Sequence, residues 1–152
     1  MKGILIDPYQ QNATWKDFDF EDYRTIQKTI DADTFDVTRI AKEEVMYIDD
    51  EGLMKEQKHY FTLELMHEFG KKARRYEKAD VRSYVGKALI LSDGGIGEAL
   101  STKMELGSLN DGSYSIIDLY YDKVGVAYRL KFHRLAEDYK IRVPKPRVIK
   151  FA

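Results

Sequence analysis

At 152 residues the chain has the length of one ordinary domain, and its 43% apolar content is enough to build a core. It has no cysteine, which excludes a disulfide framework, a thiolate zinc site and a cysteine nucleophile; a net charge of −1 argues against a general nucleic-acid binder. The opening apolar run is too short for a signal peptide and no segment approaches a membrane span, so a protein of the cytoplasm is the expectation.

The near-neutral total conceals two oppositely charged ends. Residues 1–51 hold 13 acids and 6 bases, and residues 129–152 hold 8 bases and 2 acids. Runs of charge are usually solvated faces, worth little to stability. The alternative is a basic end that meets an acidic partner or a phosphate backbone.

In chain order, Gly3 to Asp7 reads as a strand closed by Asp7-Pro8, because proline cannot donate to a ladder. Gln10 to Asn12 reads as a turn, and Trp15, Phe18 and Phe20 are candidates for burial. A helix beginning at Asp19 or Glu21 and running to about Ile30 is expected, with Tyr23, Ile26, Gln27 and Ile30 at helical spacing and acids at its positive end. Asp31 to Thr34 breaks it. Phe35, Val37 and Ile40, then Val45 to Ile48, predict an antiparallel pair linked through Ala41–Glu44.

Between Leu53 and Arg82 two periods compete. Phe61, Leu63 and Leu65 alternate like a strand, whereas Leu65, Met66, Phe69, Ala73 and Tyr76 share a helical face. The second pattern predicts a helix from about Thr62 to Lys78, with Gly70 as a weak point. The run K-A-L-I-L-S, Lys87 to Ser92, is the clearest strand and ends in the turn signal Asp93-Gly94-Gly95. Tyr114–Tyr121 and Val124–Phe132 predict a hairpin around Asp122-Lys123, and Tyr139–Val143 a further strand. These elements predict an α+β fold: a small, mostly antiparallel sheet with one or two packed helices and a β-rich C-terminal third. The expected organisation is one domain over residues 1–143 followed by a basic tail, 144–152.

Four groups of residues invite a chemical reading. Asp49-Asp50-Glu51 could hold a cation only if the chain turned through all three, since neighbours on a strand point to opposite faces; a solvated turn after a strand is the simpler reading. Asp93-Gly94-Gly95-Ile96-Gly97-Glu98 has glycines that could cradle phosphate, but it lacks both the third glycine of a dinucleotide fingerprint and the lysine-serine pair of a P-loop. His59, His67 and His133 have no metal-ligand spacing, and no serine sits in a nucleophile elbow. A catalytic, metal or cofactor role is therefore not expected. The basic runs Lys71, Lys72, Arg74, Arg75, Lys78 and Arg142, Lys145, Arg147, Lys150 are the candidate partner-binding groups, because guanidinium groups contact phosphate or carboxylate bidentately.

The segments M-K-G-I-L-I-D-P, E-D-Y-R-T-I-Q-K-T-I, F-D-V-T-R-I, M-Y-I-D-D-E-G-L and G-K-A-L-I-L-S follow one another over residues 1–92. In that order they resemble the family known as domain of unknown function 3846, found largely in bacteriophages and mobile elements. The family-like part is residues 1–100, with 101–143 a β-rich extension. The resemblance implies that D-D-E-G-L belongs to a shared structural frame, and it transfers no catalytic residue. It implies a phage or mobile-element accessory protein that is not an enzyme and binds a host macromolecule, most simply a host protein, in the bacterial cytoplasm. Interference with host defence is one form of that role. Nucleic-acid binding through the basic runs, nucleotide binding at Asp93–Glu98 and a virion structural role are the alternatives.

Overall fold

The computed structural model describes residues 1–51, 59–67, 81–95, 97–107, 116–121 and 126–134. Their elements are β1 (Lys2–Asp7), β2 (Asn12–Asp17), α1 (Tyr23–Thr29), β3 (Phe35–Ala41), β4 (Glu44–Asp49), β5 (His59–His67), β6 (Val81–Val85), β7 (Ala88–Ser92), β8 (Glu105–Leu106), β9 (Ile116–Tyr121) and β10 (Val126–Arg134). The strands form two five-stranded antiparallel sheets. The first runs β2-β1-β7-β4-β3 and the second β6-β5-β10-β9-β8.

The centre of the first sheet is covered on both faces, which explains why its central strands read as continuous apolar runs rather than alternations. Ile4 and Met46 each lie opposite Ile90, and Ile6 and Ile48 lie opposite Ala88. These side chains share a core with Phe61, Leu63, Leu119, Leu130 and Phe132 of the second sheet. Val45, Tyr47, Leu89 and Leu91 have the other parity and pack with Ile26 of α1 and with Ile30, which caps its C-terminal end. Strands β4 and β7 are consequently buried along their whole length.

The helix α1 has only seven residues, too short to persist alone, so its packing on the first sheet holds it. Asp22 caps it by accepting the Arg24 N–H at 2.8 Å. No described helix is long and apolar enough to cross a membrane.

The α+β expectation is overturned: among the described residues the protein is almost wholly sheet, with α1 its one helix. The error lies chiefly in the helix predicted over Thr62–Lys78. Residues 59–67 instead form β5, whose period-2 pattern buries Phe61 and Leu63. Leu63 lies opposite Leu130 of β10, and β6 pairs with the other edge of β5. Those partners are distant in sequence, and their pairing decides between two periods that local spacing leaves in competition. The rest of that predicted helix lies outside the described residues, as does the strand predicted at Tyr139–Val143. The hairpin expected in the last third is present as β9 and β10, paired antiparallel.

Candidate functional site

The outer face of the first sheet carries an open hollow of about 440 Å³ beside α1. Tyr23 of α1, Phe35 and Val37 of β3, and Val45 and Tyr47 of β4 form its apolar lining; Asp93 and Gly97 close one side. Strand parity places these side chains together. Phe35 and Val37 are two apart on β3, and Val37 sits directly opposite Tyr47. The rings form a chain of contacts: Tyr23 to Phe35 at 5.9 Å between centroids, and Phe35 edge-on to Tyr47 at 5.3 Å. Both spacings lie in the range where aromatic pairs attract. Five large hydrophobic side chains are exposed among the described residues, and two of them, Tyr23 at 50% and Val37 at 40%, line this one hollow. Burial pushes the Tyr47 hydroxyl up to about 12, with the neighbouring Tyr23 and Asp93 adding to the shift, so it stays protonated and available as a donor.

Polar groups hold the rim. Arg39 meets Asp93 through both terminal nitrogens, at 3.2 and 2.5 Å. Asp93 also accepts the Gly95 N–H at 2.9 Å. The hydrogen bond from Arg39 holds the Asp93 carboxyl below its usual range, so it remains a carboxylate. The Asp93–Ala99 loop is tied at its base: Ser92 and Leu100 exchange backbone bonds of 3.0 and 2.8 Å, and the Asp93 N–H reaches Glu43 O at 2.9 Å. Gly97 at the hollow has φ +83°, and a Cβ there would meet nothing within 4 Å. Glycine is needed there for its backbone angle rather than for space.

Beyond that loop, Glu44 is fully buried. Its Oε1 accepts the Thr102 hydroxyl and the N–H groups of Lys103 at 2.8 Å and Met104 at 3.3 Å. Its Oε2 has no hydrogen-bond partner among the described residues. Three donors on one oxygen make Glu44 a clamp that holds residues 102–104 against the first sheet.

Asp49, Asp50 and Glu51 stand at the end of β4 and do not converge. Asp49 is buried and accepts the Glu51 N–H at 2.9 Å; Asp50 and Glu51 are exposed and receive the Thr34 hydroxyl. No group of three or more histidine, aspartate or glutamate side chains is placed to hold a metal ion among the described residues. His59 lies against Tyr9, and His133 stacks on Tyr60, so each sits in its own aromatic contact. Lys71, Lys72, Arg74, Arg75, Lys78, Arg142, Lys145, Arg147 and Lys150 all lie outside the described residues. Sequence reasoning named every apolar residue of the hollow as a strand or helix position without seeing that they meet. Arg39 goes unremarked and Glu44 reads only as the end of the Ala41–Glu44 link, because each finds its partners more than 50 residues away.

Compared with protein-family models, curated proteins and solved structures, the chain matches none.

Proposed function

We propose that the protein is a binding module, not an enzyme, and that the hollow on the first sheet is the surface through which it grips a partner protein. One observation carries the reading: two of the exposed large hydrophobic side chains, Tyr23 and Val37, line a concavity floored by further aromatic and aliphatic groups. Apolar side chains gathered at the surface stand ready to be covered, and a pocket with aromatic walls suits an anchoring side chain. The Arg39–Asp93 pair at the rim supplies orientation at the edge of an apolar contact. The resemblance to a phage and mobile-element family makes a host protein the expected partner, met in the bacterial cytoplasm.

The test is capture from host lysate, with and without nuclease, by the wild-type chain and by Val37→Asp. Val37 is 40% exposed and outside the two buried clusters, so the substitution places a charge in the hollow without entering the core. A protein retained after nuclease by the wild type and lost by the variant supports the reading. Equal capture by both excludes the hollow as the contact. Capture that disappears with nuclease transfers the role to nucleic-acid binding by the basic runs.

A further inference from the structure

The hollow opens beside the free edge of a sheet. Strand β3 is the last of the first sheet, so backbone groups on its far side are unused by any ladder among the described residues. Its C-terminal half is covered: the Arg82 guanidinium reaches Arg39 O at 3.3 Å and Thr38 Oγ1 at 3.4 Å, and the Tyr128 hydroxyl donates to Ile40 O. Among the described residues no such bond reaches Phe35, Asp36 or Val37, the half that flanks the hollow. The opposite edge strand, β2, differs. Its Trp15 carries the Lys2 ammonium over the ring at 4.4 Å.

Charge beside the Phe35–Val37 half of this edge is predominantly acidic. Asp33 and Asp36 are exposed and form no ion pair with any described residue, and Asp50 and Glu51 stand beside the start of β3 with only the Thr34 hydroxyl between them. Of the cations on α1 and β3, Arg24 is paired with Asp22 and Arg39 with Asp93, which leaves Lys28 alone against those acids. A second copy of this chain would bring the same acids against themselves, so the edge disfavours self-pairing.

We propose that the partner is engaged through a basic, extended segment that adds as a sixth strand along the Phe35–Val37 half of β3. Alternate side chains of that segment enter the hollow, while lysines or arginines on its other face meet Asp36 and the neighbouring acids. Main-chain bonds then supply affinity and the hollow supplies selection for an apolar side chain. This rests on the reading of the hollow as the contact surface.

The probe is a seven-residue peptide with lysine at the odd positions, phenylalanine at the centre and threonine at the two remaining positions, followed by amide and side-chain NMR of the full chain. Two versions carry backbone N-methyl groups on alternate amides, one set each, and another replaces lysine with glutamate. The expected result is shifted amides at residues 35–37 together with shifted Tyr47 ring signals. One of the two N-methylated peptides should bind at least tenfold more weakly, and the glutamate peptide should not bind. Asp36→Asn should weaken binding severalfold and flatten its salt dependence, because Asp36 contributes charge without holding the fold. Shifted Tyr47 signals with equal binding by every peptide would overturn the strand addition and keep the hollow. No shift at either place would overturn both.

Discussion

Asp93 shows how a residue's neighbours decide its role. It follows the clearest strand in the chain and opens a glycine run, so its local context speaks only of a turn. In the fold it is nearly buried, and its two oxygens meet a guanidinium supplied by β3, 54 residues earlier. Its folded pKa is lowered first by that hydrogen bond. A carboxyl held low when folded releases its proton more readily in the folded than in the unfolded state. Its stabilisation is therefore full above the ordinary aspartate range of about 4 and is lost as pH falls through the folded value. Asp93→Asn should remove that dependence, so a series of thermal melts from pH 7 to pH 2 should show a shallower acid decline for the variant. A decline equal to that of the wild type would mean that the pair does not persist in solution. Arg39 is half exposed, so solvent screens the pair and the change in slope says more than its size.

At the scale of elements, what could be read from the sequence were the pieces whose signal is local. Strands β1 and β7, the β3–β4 pair and the helix after Asp22 all stand where apolar runs, caps and turn residues put them. The helix is shorter than expected because its first acids belong to the approach and the cap rather than to the first turn. Strand β5 was not legible, since Leu65 serves both the period-2 and the helical pattern. The ladders with β10 and β6 select between them. Leu63 separates the two readings experimentally. It is absent from the helical face of Leu65, Met66 and Phe69, but fully buried in the strand. Leu63→Ala should therefore cost about 3 kcal/mol, as a cavity left in a packed core does. A change under about 0.5 kcal/mol in denaturant unfolding, the size typical of a surface site, would contradict β5 as described.

At the scale of the whole molecule, two sheets share one core, and α1 covers part of the face the first sheet turns outward. The hollow lies where that cover stops, with Tyr23 on the helix and Tyr47 on the sheet forming its walls. No spacing rule could have announced it, because its lining runs from Tyr23 to Gly97 and comes together only through the order β7-β4-β3 and the helix laid over it. The chemistry that sequence reasoning favoured lay in charged runs, whereas the feature the fold assembles is aromatic with a charged rim.

The most direct measurement is site-specific photo-crosslinking from within the hollow. A benzoyl-phenylalanine placed at Tyr23, and separately at Trp15 on the far edge strand, would be irradiated in the partner-bound state. Both positions are exposed, so both should accept the group without loss of fold. The account predicts an adduct with the captured protein from position 23 and none from position 15. An adduct from position 15 with none from position 23 would contradict the hollow as the contact surface.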